Sequence, residues 1–131
     1  MYCLDTNVII DSIRGNFPKV EAHFQNTDSF EIVIPSVVIA ELEFGAQHSG
    51  NYERRKNQYL EFIAPYKIIP FARKEAVAYG AIRQQLATAS NIIGPNDMLI
   101  AATALANNAT VVTHNIDEFS RVQGLLVEDW R

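Results

Sequence analysis

Cysteine, net positive charge and long apolar runs are all scarce in this chain, and each scarcity excludes something. The one cysteine, Cys3, permits no intramolecular disulfide. Its place in an apolar run predicts a buried thiol in a reducing compartment, with the cytoplasm as the expected location. The longest apolar tracts, Ile32 to Ala40 and Met98 to Ala106, fall well short of the roughly 20 residues that span a bilayer, so no membrane partner is expected. No basic segment precedes the first apolar run, which is itself too short for a signal peptide. Acidic residues outnumber basic ones by 15 to 11, for a formal charge of −4. That balance argues against holding nucleic acid by bulk electrostatics. It still suits a small nucleic-acid enzyme whose carboxylates gather around metal ions. His23, His48 and His114 lack ligand-like spacing, so no zinc site is expected.

What remains is an ordinary globular composition. With 131 residues, 48% of them hydrophobic and 20% charged, the chain is long enough for one substantial core. No repeat, low-complexity tract or linker divides it, so residues 1–131 are read as a single domain.

The opening Met1-Tyr2-Cys3-Leu4-Asp5-Thr6-Asn7 organises the reading. A short apolar run ends in Asp5, a turn is expected at Thr6-Asn7, and Val8 to Arg14 looks helical, with Gly15-Asn16 as a stop. Phe17 to Phe24 suits a second short helix. Further strands are expected at Ile32-Val33-Ile34, Lys67 to Pro70, Thr110 to Thr113 and Leu125 to Val127. Ser36 stands where a helix N-cap should be. Helices are expected over Tyr52 to Ala64 and Ala72 to Ala89, and another starts at Gly94-Pro95-Asn96-Asp97. Strands alternating with helices imply βαβ units and a parallel sheet covered on both faces, a three-layer α/β/α sandwich.

In such sheets ligands bind beyond the carboxyl ends of the strands, where Asp5 would lie. Asp is also a common turn former and N-cap, so Asp5 alone decides little. Glu41 interrupts an apolar helical stretch, and a buried carboxylate needs a partner or a metal. Glu43 is its rival, and periodicity does not choose between them. Asp97 sits in the first turn of a helix, where the macrodipole favours acids. The helix that follows, Met98 to Leu105, is apolar nearly all round and must be buried, which would deliver Asp97 to the active edge of the sheet. The polar turn after the fourth strand offers Asn115, Asp117 and Glu118.

Taken together, these stretches resemble the PIN-domain family. They are Leu-Asp-Thr-Asn at 4–7, Ser36 with Glu41-Leu42 and Gly45, Gly94-Pro95-Asn96-Asp97 with Ile100-Ala101-Ala102, Thr113-His114-Asn115 with Phe119, and Gly124-Leu125 through Asp129-Trp130. Within that family the chain looks most like the VapC-type ribonuclease toxins of toxin–antitoxin pairs. The resemblance runs in order from Asp5 to Trp130, and its strength lies in the order of the motifs more than in any one of them.

The resemblance implies a five-stranded parallel sheet and an acidic cleft for Mg²⁺ or Mn²⁺. It selects Glu41 over Glu43. Asp5, Glu41 and Asp97 become the cleft acids and metal ligands, with Asn115 where many members place a fourth acid. Asp117, in the same turn, is the candidate to compensate. Asp5 and Asp97 are the first choice for direct ligation, and Glu41 either binds metal or activates the attacking water. Thr6, Asn7, Ser36 and Thr113 are expected to orient the acids, although capping and turn roles suit them equally. Arg83 and Arg121 are candidate phosphate contacts, and the run Tyr52 to Lys56 is basic; a solvated face is the default for each. His114 lies in the cleft turn, within reach of substrate. Trp130 is read as a packing anchor.

The expected activity is metal-dependent endoribonuclease cleavage, directed by the modest electrostatic attraction toward a shaped or single-stranded RNA site. The expected partners are the RNA substrate, a cognate antitoxin lying across the active site, and a second copy in a homodimer. Phe44, Tyr59 and Phe62 are candidates to line the antitoxin groove. Two other classes compete. A phosphotransferase with an aspartate nucleophile usually needs a second Asp at the +2 position, which here is Asn7, and a lysine near the phosphate, yet none follows Lys74. A non-catalytic RNA- or protein-binding module of the same fold would be expected to lose cleft acids, and only the fourth is replaced.

Overall fold

The computed structural model describes residues 1–131. The elements are β1 (Tyr2–Leu4), α1 (Thr6–Arg14), α2 (Pro18–Gln25), β2 (Ile32–Pro35), α3 (Ser36–His48), α4 (Tyr52–Ile63) and β3 (Lys67–Ile69). They continue with α5 (Arg73–Thr88), α6 (Pro95–Ala106), β4 (Thr110–Val112), α7 (Ile116–Phe119) and β5 (Val127–Glu128), and one 3-10 turn, Ser29–Glu31, leads into β2. The five strands form one sheet in the order β3-β2-β1-β4-β5. Every pairing is parallel.

The topology explains where the ends of the strands matter. From β1 the chain moves outward through β2 to β3, then crosses back past β1 to β4 and β5. Crossovers between parallel strands are right-handed, so this reversal puts α1–α4 on one face and α5–α7 on the other. The same groups pack among themselves, α3 on α4 and α1 on one side, α6 on α5 and α7 on the other. The three-layer expectation therefore holds. The reversal also opens a crevice between the carboxyl ends of β1 and β4, the switch point at which such sheets bind ligands.

Burial follows from the sequence pattern. Cys3 and Leu4 of β1, Ile32 to Ile34 of β2, and Val111 and Val112 of β4 are all buried, as central strands covered on both faces require. β3 is an edge strand, and Lys67 and Ile68 are exposed. The nearly uniform apolarity of α6 is matched by burial of Met98, Ile100, Ala101, Ala102, Thr103 and Ala104. Trp130 is 1% exposed; it stacks on His23 and meets Tyr2 and Phe24 edge-on, so it is the anchor expected of it. Burial pushes the Cys3 thiol far up, and it stays neutral. No helix is long and apolar enough to cross a membrane.

Four local expectations are corrected. No turn separates β1 from α1: Asp5 is itself the N-cap, and α1 begins at Thr6. Ser36 is not the cap of α3 but its first residue, with extended Pro35 before it; proline's fixed φ suits that place. The turn at His114 to Glu118 contains the one-turn helix α7. The last strand starts two residues later than expected, because the Leu125 amide closes a turn on the Val122 carbonyl. The ladder to β4 takes over only from the Leu126 carbonyl, which accepts from the Val111 amide.

Candidate functional site

The crevice at the switch point is built from the ends of four elements. Asp5 follows β1 directly and caps α1. Its Oδ1 accepts from the Thr6 amide at 2.7 Å, and its own amide donates to the Val112 carbonyl at 2.9 Å. Its Oδ2 accepts from Thr113 Oγ1 at 2.7 Å, and Asn7 Nδ2 stands 3.4 Å away. Asp5 is 5% exposed, and that burial raises its carboxyl above the ordinary range, although the bonds from Thr113 and Thr6 pull the other way.

Glu41 reaches the same place from the second turn of α3. Thr6 Oγ1 donates to its Oε1 at 2.6 Å, and Asn96 Nδ2 approaches its Oε2 at 3.3 Å. Thr6 thus joins the two acids, its amide on Asp5 and its hydroxyl on Glu41. Glu43, the rival acid, points elsewhere and accepts from the hydroxyls of Tyr52 and Tyr59.

Asp97 comes from the first turn of α6 and Asn115 from the N-cap of α7. Asn115 Nδ2 donates to Asp97 Oδ2 at 3.1 Å and to Glu118 Oε2 at 2.9 Å, and the Asn115 amide donates to Thr113 Oγ1 at 2.9 Å. The Asp97 carboxyl is pushed up to about 7, first by burial, then by its hydrogen bond with Glu118, then by the charges of Asp5, Glu118 and Glu41. Glu118 moves down, first through its bond with Asp97; burial opposes that shift, and Asn115 and the Arg121 charge support it. Of the two, Asp97 is the carboxyl that favours the proton.

The crevice therefore brings together Asp5, Glu41, Asp97 and Asn115, with Thr6, Asn7 and Thr113 bonded among them. It does not bring in Asp117, which is exposed; Glu118 occupies the place for which Asp117 was the candidate. Helix phase decides this, because positions three apart share a face and positions two apart do not. Asn115 at the N-cap with Glu118 three residues on is a recognisable capping spacing, and Asn96, expected only as part of the turn that starts α6, is the other contributor. Ser36 is bonded to none of the acids, whose partners are supplied by Thr6, Asn96, Thr113 and Asn115. Arg83 is exposed and donates to the Tyr79 hydroxyl at 3.0 Å; Arg121 is the arginine whose charge reaches Glu118. His114 does not face substrate, because its ring nitrogens meet Asp11 and Asp129 (3.1 Å).

The donor set fits a hard divalent cation: oxygen atoms only, with no histidine or cysteine among them. Asp97 is disfavoured as an anion first by burial and then by its acidic neighbours, and a bound cation would offset both. The Oδ1 of Asn7, beside Asp5, is buried without a donor. No three acids, cysteines or histidines converge closely enough to form a ready-made ligand shell. Mg²⁺ typically takes one or two carboxylates and keeps its waters.

A family model described as PIN domain matches residues 2–125. The chain belongs to the PIN-domain family. Among curated proteins, this PIN domain is 37% identical over 134 residues to Ribonuclease VapC2 of Rickettsia felis, covering 99% of the chain and 98% of the relative. It is 33% identical over 129 residues to the tRNA(fMet)-specific endonuclease VapC of Salmonella typhimurium, covering 98% and 97%. Among solved structures it matches VapBC2 from Rickettsia felis bound to a promoter DNA fragment with a TM-score of 0.91 at 35% identity, covering 99% and 98%. DNA-bound VapBC from Salmonella typhimurium matches at 0.93 and 32%, also over 99% and 98%.

Proposed function

We propose that this chain is an endoribonuclease that hydrolyses RNA phosphodiesters with Mg²⁺ or Mn²⁺ and acts as the toxin of a toxin–antitoxin pair. The observation that carries the reading is the convergence of Asp5, Glu41, Asp97 and Glu118 on one crevice, bridged by Thr6, Thr113 and Asn115. The relatives named as ribonucleases and the VapBC assemblies support it.

Asp5 and Asp97 would ligate the cation directly, with Glu41 completing the site through a coordinated water or a direct bond. When bound, the cation lowers the pKa of a coordinated water and offsets charge growing on the phosphoryl oxygens. The protein's part is positioning. Thr113 and Thr6 hold Asp5 and Glu41 against their mutual repulsion, and Asn115 fixes Asp97 and Glu118. Glu41 takes a proton of the attacking water, whose oxygen adds to phosphorus as the bond to the 3′-oxygen breaks, and that leaving oxygen takes a proton from solvent. The products are 5′-phosphate and 3′-hydroxyl ends.

The antitoxin is assigned to the groove beside the crevice. That groove, about 240 Å³, runs between α1, α3 and α4, lined by Ile10, Ile13, Glu41, Leu42 and Tyr59 and by the exposed Arg14 and Arg55. Of the three aromatic candidates, Tyr59 lines it, Phe44 is exposed on α3, and Phe62 packs edge-on against Phe24. A homodimer completes the proposed assembly. The test is cleavage of an RNA pool containing initiator tRNA, with Mg²⁺, Mn²⁺ or EDTA, by the purified chain and by Asp5→Ala. Metal-dependent cleavage lost in the variant is the expected result. Cleavage unaffected by EDTA or by the substitution overturns the reading.

A further inference from the structure

We propose that His114 is a positioning residue of this cleft: gripped by Asp11 and Asp129, it fixes the short segment that presents Thr113 and Asn115 to the acids. The proposal rests on the nuclease reading above.

Three consecutive residues divide their contacts. Thr113 and Asn115 bond to Asp5, Asp97 and Glu118 in the cleft. His114, between them, turns away, with Nδ1 3.1 Å from Asp129 Oδ1 and Nε2 on Asp11 Oδ2. The Asp11 half of the grip is largely sealed from water, the His114 side chain being 12% exposed and that of Asp11 8%, whereas the Asp129 side chain is 38% exposed. Asp11 carries a second partner, Arg131, whose Nε lies 3.2 Å from the same Oδ2 and whose guanidinium stands 4.2 Å from the centre of the Phe17 ring. A buried carboxylate so partnered is not a stray charge.

The arrangement matters because of where Asp11 lies. It belongs to α1, the helix whose first residue, Thr6, bonds Glu41 and whose cap is Asp5. Through His114, the helix that carries one half of the cleft is fastened to the segment that carries the other half, and Asp129 ties both to the chain after β5. Catalytic groups need placement to within about 0.5 Å, and such placement depends on supporting side chains locked in turn. His114 fills that role without touching substrate or the acids of the cleft.

The experiment compares the wild-type chain with Asp5→Ala, His114→Ala, Asp129→Asn and the last two combined, on an RNA that the wild type cleaves with Mg²⁺. His114→Ala is expected to lower kcat by about tenfold or more and to leave KM within about twofold, because geometry and not binding is lost. Hydrogen exchange is the second readout. The Asn115 amide, which donates to Thr113 Oγ1, should lose protection in His114→Ala while the amides of β1 and β4 keep theirs. Asp129→Asn should move both readouts in the same direction by less, and the double variant should be no worse than His114→Ala, since coupled residues are not additive. Wild-type kcat together with a protected Asn115 amide in both single variants overturns the proposal. Should His114→Ala fail to fold, Asp129→Asn decides: reduced kcat in a folded protein supports the grip, and unchanged kcat overturns it. A wild type that does not cleave, or an active Asp5→Ala, sinks the nuclease reading instead. The Asn115 exchange then still decides the grip.

Discussion

Thr113 Oγ1 donates to Asp5 Oδ2 at 2.7 Å across 108 residues of chain, and this buried bond ties the carboxyl ends of β1 and β4 together at the switch point. Burial disfavours the ionised carboxyl of Asp5, and this bond is the largest contribution opposing that cost. Hydrogen bonds to charged groups contribute about 1.5–3 kcal/mol. Thr113→Val should therefore lower unfolding stability by about that amount at pH 8, measured by urea denaturation. RNA cleavage should fall with it, and Thr113→Ser should recover most of both. A Thr113→Val protein as stable and as active as wild type would mean that Asp5 is held by other means.

Asp97 offers a contrast between stability and function. Its folded-state carboxyl lies near 7, above the ordinary 3.8. The bound proton thus stabilises the metal-free fold fully below about pH 4, and that contribution is lost as pH rises through about 7. Asp97→Asn keeps the shape and never acquires the charge. In EDTA at pH 8 its Tm should exceed that of the wild type by roughly 2–5 °C, about 1 kcal/mol in a domain of this size. Its RNA cleavage should vanish. A lower Tm would show that Asp97 is not crowded as an anion.

The same proton competes with metal. Ligation needs the carboxylate, so divalent-ion affinity should weaken as pH falls below about 7. Calorimetric titration of the RNA-free protein with Mn²⁺ should give several-fold tighter binding at pH 8 than at pH 6, with proton release at pH 6. Equal affinity at both would remove Asp97 from the ligand set.

Asp117 and Glu118 are separable by substitution. Asp117→Ala, at an exposed position, should cleave at close to the wild-type rate. Glu118→Ala removes the partner of both Asn115 and Asp97. It should cost about tenfold or more in cleavage, the scale of losing a supporting group around a metal site. The opposite ranking would return the role to Asp117.

How far the sequence reveals this site depends on the kind of element that carries each residue. Asp5 and Asp97 are legible because strand ends and helix first turns place side chains predictably, and an apolar α6 can lie only inside; Glu41, in the second turn of α3, is told from Glu43 only by the family resemblance. The alternation of strands and helices likewise gives the sandwich. The segment after β4 is not legible in the same way. Whether residues 114–118 form an open turn or one turn of helix changes which acid faces Asp97, and a four-residue helix leaves almost no periodicity to read. Ser36 fails for a related reason, since proline and serine compete for one capping position within a residue of each other. His114 is illegible outright: its partners, 103 and 15 residues away, become neighbours only through the fold.

The sheet order has a consequence for how the protein comes into being. β1, with Asp5, precedes the other four strands in the chain yet lies at the centre of the sheet, and the strand that completes its other side, β4, comes only after β2 and β3. For most of synthesis the nascent chain displays Asp5 without Asp97, without the Thr113 hydroxyl that steadies it and without Asn115. The cleft therefore comes together only when α6, β4 and α7 join β1, and no earlier stage of the chain holds its acids in one place.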